Sequence, residues 1–187
     1  MTRMLMCAAI GLIGLAGCQS VERHPSTETA VDPDRKSLTA VDIGIAQPAI
    51  TSGDELVLGP LLRDEARNVL VDKLYTVIKN AVVDVSGATS NGGPETARVV
   101  DADLVLLISV TQWDRSELIS RSMVWASGRF VAYAKKDGRR YFEHAFNDLQ
   151  VFAPGQTSVV NSEETERQIA RTLVRQALAS FPVKLAR

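Results

Sequence analysis

Apolar positions recur along the chain with two periods, two residues and about 3.6, and these divide residues 41–187 into strands and helices. Val41, Ile43 and Ile45 alternate with Asp42, Gly44 and Ala46 as far as Gln47-Pro48, which predicts a first strand. After a polar turn at residues 52–55, Gly59-Pro60 opens a stretch whose apolar residues are Leu62, Ala66, Val69, Leu70, Leu74, Val77 and Ile78. Spacings of three and four place them on one helical stripe, with Arg63, Asp64, Arg67, Asp72 and Lys79 largely off it. Pro60 suits the first helical position, where its missing N–H removes nothing the helix needs. Residues 81–85 read as a short β segment, 86–93 as a flexible glycine-containing connection, and 94–100 as one or two helical turns.

Residues 102–113 are apolar on both faces at first and alternate later, which fits a central strand. The clearest local signal is the next pair of strands, 122–135 and 140–152, around Lys136-Asp137-Gly138-Arg139. Asp-Gly between alternating runs predicts a two-residue type I′ turn, and pairing 136 with 139 sets the register. One face then collects Val124, Ala126, Gly128, Phe130, Ala132 and Ala134, small enough for a helix to lie close. The other pairs Trp125 with Gln150, Arg129 with Phe146, Val131 with His144, and Tyr133 with Phe142. A closing amphipathic helix runs from Asn161 or Ser162 to Ser180, with a capping box from Asn161 and Glu164, and Pro182 beyond its end. Its buried stripe is Ile169, Leu173, Val174, Ala177, Leu178 and Phe181. The expected fold is α+β, a mixed sheet in β-α-β-(α)-β-β-β-α order with helices mainly on one face.

Ahead of this domain the pattern changes. Twelve of the first 17 residues are apolar, behind a single Arg3, and Leu15-Ala16-Gly17 precede Cys18. This is a secretory leader, too short to span a bilayer as a stable helix. Leu15-Ala16-Gly17-Cys18 resembles a bacterial lipobox, in which the cysteine thiol at the cleavage point receives diacylglycerol. That resemblance implies a mature chain of 170 residues anchored through Cys18 to the membrane. Gln19, in place of an inner-membrane retention Asp, implies the outer membrane, with the body facing the periplasm. The alternative is an ordinary signal sequence, or a buried apolar N-terminus, that happens to contain cysteine. Residues 19–40 have five apolar residues, seven charges and two prolines, and are expected to form a flexible tether that includes His24. The single domain is then 41–187, of which 67 of 147 residues are apolar, enough for one core.

Composition narrows the chemistry. The 21 basic and 22 acidic residues leave a net charge of −1 and no excess of cations for nucleic acid. Removal of Cys7 with the leader and capping of Cys18 by lipid leave no thiol for a disulfide, a metal or catalysis. No GxSxG, Walker loop or HExxH is present, and the glycines of 86–93 lack the Lys-Ser/Thr pair of a phosphate loop. His144 stands mid-strand without a second histidine nearby, and is read as structural or interfacial. No catalytic set, metal site or cofactor is expected.

Lipobox, polar tether and this element order together resemble the small bacterial envelope lipoproteins whose α/β domain is like the N-terminal domain of TolB, among them LpoB, PelC and CsgG. The segment from Ala102-Asp103 through Trp113, with Ser116 and Ser120, is also similar to a family of uncharacterised lipoproteins. The auxiliary lipoproteins of ABC-type lipid transporters share a comparable order and closing helix. These resemblances imply a non-catalytic, lipid-anchored accessory or adaptor that binds another envelope protein, and in some cases copies of itself. The expected contact face is Trp125, Arg129, Tyr133, Phe142 and Phe146, because aromatic residues and Arg are enriched at interface hot spots. The alternative for that face is packing under a loop or the chain's own N-terminal segment. The alternative function is carriage of a lipid or small apolar ligand, and a weaker third is regulation of cell-wall synthesis.

Overall fold

A computed structural model describes residues 23–32, 42–51, 55–155 and 161–184 of the chain. Residues 1–22, which include the expected leader, Cys18 and Gln19, and residues 33–41 lie outside the described residues, as does most of the turn at 52–55. Among the described residues there are seven strands: β1 (Ser26–Val31), β2 (Asp42–Ile45), β3 (Ala49–Ile50), β4 (Thr76–Val77), β5 (Leu104–Asp114), β6 (Met123–Ala134) and β7 (Arg140–Phe152). They form one mixed sheet in the order β1-β7-β6-β5-β2-β4, with β3 also against β5. β1, β7, β6 and β5 pair antiparallel in that order, whereas β2 and β3 run parallel to β5 and β4 parallel to β2. The fold is therefore α+β with a mixed, open sheet, as the periodicity predicts.

Helices α1 (Glu55–Asp72) and α5 (Ser162–Ala177) pack side by side on one face. Leu62, Ala66 and Leu70 of α1 join Ile169, Leu173, Val174 and Ala177 of α5 in the main core. The even-numbered residues of β5 from Leu104 to Val110 and the alternate residues Val124, Ala126, Phe130 and Ala132 of β6 form its floor. The stripe expected for α5 is wholly buried. The Asn161 side chain caps that helix by accepting the backbone N–H of Glu163 at 2.9 Å and of Glu164 at 3.4 Å. Leu178 and Phe181 enter the core from the chain beyond its end. Short helices α2 (Asn80–Val85) and α3 (Pro94–Val99) cover the β2/β5 part of the opposite face and reach Tyr133 of β6, with Val83, Ala97 and Val100 packed on Val105 and Leu107. Helix α4 (Leu118–Arg121) links β5 to β6.

Several local expectations are corrected. Pro60 lies inside α1, not at its first position; the carbonyl it orphans is that of Leu56, at the solvent-exposed start of the helix. The helix also stops at Asp72 instead of continuing through Ile78. Leu74 adopts φ 70°, the left-handed conformation that ends a helix, and Tyr75 N–H donates to Leu70 O at 3.1 Å. Thr76 and Val77 are then free to pair with β2. Residues 80–85 are helical, not extended: with β4 as the sheet edge, the helix buries Val83 and leaves Val82 and Val85 in solvent. Arg63, expected off the buried stripe, is itself buried and donates to Ile45 O at 2.6 and 3.0 Å.

The tether is also corrected in part, since residues 26–31 of that polar stretch form β1 and pair with β7 from Asn147 to Phe142. Main-chain pairing holds them, because an edge strand needs no apolar face of its own to complete a ladder. His24 sits just ahead of this strand.

The hairpin departs furthest from expectation. Its connection spans residues 135–139, with Gly138 at φ 69° donating to Ala134 O at 2.9 Å, so the turn is a wider one than type I′. Trp125 does face Gln150, and Ala126 faces Leu149, in the expected register. Beyond that, Ser127 stands opposite both Asn147 and Asp148 in a β-bulge, and Asp148 takes φ 45°. The Ser127 hydroxyl accepts the Asp148 N–H at 2.9 Å and pins the bulge. Gly128 now faces Phe146, Phe130 faces His144, and Ala132 faces Phe142. Every residue of β7 in that interval has changed faces. A second bulge near Tyr141 follows, and Tyr133 faces Arg140. Gly128 is required here: a Cβ at that position would stand 2.2 Å from Ser109 O and 3.0 Å from the Phe146 ring.

Phe142 and Phe146 are accordingly 0% and 4% exposed, and Phe142 packs edge-on against Phe181 at 4.9 Å between ring centroids. Truncation by Phe142→Ala is expected to cost ~3–5 kcal/mol, the range for a buried aromatic, in urea unfolding; an outward side chain would cost far less. His144 lies on the same buried face, with Nδ1 2.7 Å from the Thr29 hydroxyl of β1. Burial pushes its imidazole below the ordinary 6.5. As pH falls through 6.5 the unfolded chain therefore takes up a proton that the folded chain refuses, so stability is full above that pH and declines below it. A lower melting temperature at about pH 5.5 than at about pH 7.5, with the His144 share of that difference gone in His144→Asn, is the expected measurement.

Candidate functional site

On β6 the odd-numbered residues point away from α1 and α5; of the short helices, α3 reaches this face of β6, where Tyr133 packs beside it. Trp125, Arg129, Val131 and Tyr133 follow one another along it, opposite Asp114, Ser109, Leu107 and Val105 of β5. Arg129 is exposed and makes no hydrogen bond or ion pair among the described residues, whereas Tyr133 is half-buried and Val131 nearly covered. On the β7 side the face continues through Glu143 and Ala145, opposite Val131 and Arg129. Glu143 pairs with the Arg140 guanidinium.

A shallow depression at the centre is lined by Ser90, Gly93, Leu107, Ser109, Arg129, Val131 and Tyr133. Its wall is the connection 86–93, which is fastened and does not hang free as expected. The Ser90 hydroxyl accepts the Ile108 N–H at 2.9 Å, and Ser90 N–H donates to Gln47 O at 3.1 Å. The Thr96 hydroxyl donates to Thr89 O at 3.1 Å. The depression thus joins an apolar floor to hydroxyls and one cation on rigid elements.

At the far end, Trp125 is half-covered by the chain's own N-terminal segment. The Arg23 guanidinium sits 4.6 Å from the indole centroid and bonds Asp114 at 2.5 Å. Asp114 also accepts the Ser116 backbone N–H at 2.8 Å, and these donors, Arg23 first, hold its carboxyl below the usual carboxylate range.

Of the five residues expected on one face, the structure brings Trp125, Arg129 and Tyr133 together and separates Phe142 and Phe146, which the bulge at Asp148 turns into the core. Val131, Leu107 and Ser109 belong to the face and share its alternation, a signal available in the sequence. Arg23 carries none, because its contacts with Asp114 and Trp125 are 91 and 102 residues distant. Among the described residues no group of three or more His, Cys, Asp or Glu is placed to hold a metal ion. No described helix is long and apolar enough to cross a membrane.

No family model and no curated protein matches the chain. Several solved structures are similar to the chain. The dodecameric PelC of Paraburkholderia phytofirmans superposes with a TM-score of 0.54 at 11% identity, covering 88% of this chain and 100% of that one. Lipoprotein GNA1162 of Neisseria meningitidis gives 0.47 at 20% identity, over 75% of this chain and 99% of that one. Protein XCC0632 of Xanthomonas campestris, of family DUF330, gives 0.41 at 10% identity, over 83% and 92%. The chain is therefore similar in fold to PelC.

Proposed function

We propose that this protein is a non-catalytic accessory or adaptor of the bacterial envelope, anchored through a lipid on Cys18 and binding another envelope protein through the face of Trp125, Arg129 and Tyr133. The observation that carries the contact is the bare half-face itself. Helices cover one side of β6 fully and the other only toward β5 and the Tyr133 end of β6, and they leave Arg129 exposed, without a partner among the described residues, beside an apolar floor. An Arg flanked by aromatic and aliphatic side chains on a rigid sheet is the composition of an interface hot spot. The lipobox supports the anchor and Gln19 the outer membrane. The fold shared with PelC, a dodecamer in its crystals, is compatible with self-association as well.

Two experiments test the two halves of this reading. Arg129→Glu, at an exposed position without partners among the described residues, should change stability by less than about 0.5 kcal/mol. Its capture of a crosslinked partner from membranes should nevertheless fall at least about tenfold, the equivalent of losing about 1.4 kcal/mol of binding. Undiminished capture places the interface elsewhere. Radioactive palmitate should label the chain in cells and leave Cys18→Ala unlabelled; label retained in that variant refutes the anchor.

A further inference from the structure

Strand β1 is held to the sheet in an unusual way. Five of its six side chains, from Ser26 to Ala30, are exposed, and only Val31 packs against the main core. What fixes it is the main-chain ladder with β7, the 2.7 Å hydrogen bond between the Thr29 hydroxyl and His144 Nδ1, and one charged clamp at each end. At the start, Arg23 bonds Asp114 and lies over Trp125. At the finish, Asp32 meets Arg139 at 2.9 Å, and its N–H donates to Tyr141 O at 3.0 Å. An edge strand with so little buried apolar surface belongs to the least stable parts of a fold, those that open without global unfolding.

The two ends of β1 lie at opposite poles of the sheet. Arg23 is at the pole of Asp114, Trp125, Phe152 and α4, whereas Val31 and the start of β2 at Asp42 lie at the hairpin-turn pole, beside Phe142 and Leu104. With β1 paired, five residue steps separate Cys18 from the domain at Arg23, at most about 17 Å of extended chain. With β1 released, the next described residue is Asp42, 24 steps from Cys18 and at most about 80 Å away. Release would also move the exit of the anchor from one pole to the other.

We propose that β1 is a strap that holds the domain close to the membrane with the Trp125/α4 pole toward the bilayer, and that its release extends the reach and frees the orientation. This inference rests on the reading of Cys18 as the lipid attachment point. It adds to that reading what the anchor does: the paired strap sets how near the membrane the Arg129 face is presented.

The test uses the full chain, lipid-modified in cells and reconstituted in vesicles carrying a headgroup fluorophore. Cys7 and Cys18 are the chain's two cysteines, so on the same reading an introduced cysteine is the single free thiol for a second dye. One preparation carries Ile119→Cys, on α4 and 78% exposed, and the other Lys136→Cys, exposed at the hairpin turn. Their poles are about 35 Å apart along the strands at ~3.3 Å per residue. The strap predicts energy transfer several-fold stronger at the Ile119 site. In the Arg23→Ala/Asp32→Ala background, with both clamps removed, the ratio should fall toward one. A ratio near one in the chain with its strap intact overturns the proposal, as does an unchanged ratio in the double variant. The first comparison leaves the strap unaltered, so its outcome does not depend on how the double variant folds. Palmitate label on the same preparations separates the two failures. Labelled chain with a ratio near one refutes the strap alone, and unlabelled chain refutes the anchor and the strap with it.

Discussion

A side chain on a strand changes faces whenever its pairing shifts by one residue, and in β7 that shift occurs at Asp148. Asp148 accepts a left-handed backbone, Ser127 satisfies its N–H, and the following stretch of pairing places Phe142, His144 and Phe146 on the side of α1 and α5. Much depends on this one bulge. It supplies aromatic volume to the core that α5 and Phe181 close, and it leaves a face on which Arg129 stands among small and aliphatic residues. The same level of the sheet is irregular in β5 between Val110 and Gln112. There Thr111 donates to Ser127 O at 3.2 Å, and Gly128 lets the backbones approach. Three neighbouring strands thus adjust together, with Ser127 and Gly128 at the centre.

Long periodic elements were legible in the sequence. The stripe of α5, its Asn161 cap, the central position of β5 and the strand pair β6/β7 all follow from spacing and turn residues, and so does the α+β class. What spacing missed has a common physical origin in main-chain geometry that side-chain patterning does not encode. Leu74 ends α1 in a conformation usually assigned to glycine, and Asp148 makes a bulge with no glycine to mark it. β1 is polar on nearly every residue and exists because β7 offers it an edge. In the candidate site, Trp125, Arg129 and Tyr133 were readable because alternation within one strand survives any shift of its neighbour. Phe142 and Phe146 were assigned across a strand pair, where a single extra residue reverses the answer. Packing under the chain's own N-terminal segment, the alternative for the aromatic face, holds at Trp125, where Arg23 supplies the cover.

The arrangement separates stabilising parts from presented ones. Aromatic side chains that a simple register would have exposed go to the core, and what remains outside is modest in area and anchored on rigid backbone. Such a surface suits a recognition element with one cation and a few apolar neighbours. The similarity to PelC extends through the fold, and the roles assigned to Cys18, Arg129 and β1 rest on this chain's own residues.

Nuclear Overhauser contacts across β6 and β7 test the pairing of Gly128 with Phe146. Cross-peaks are expected from the Gly128 α-protons to the Phe146 ring, and from Phe142 ring protons to Phe181 and Ala132. Contacts of Gly128 with Asn147 instead, together with Phe146 ring protons close to the Arg129 side chain, would show an unshifted register and contradict it.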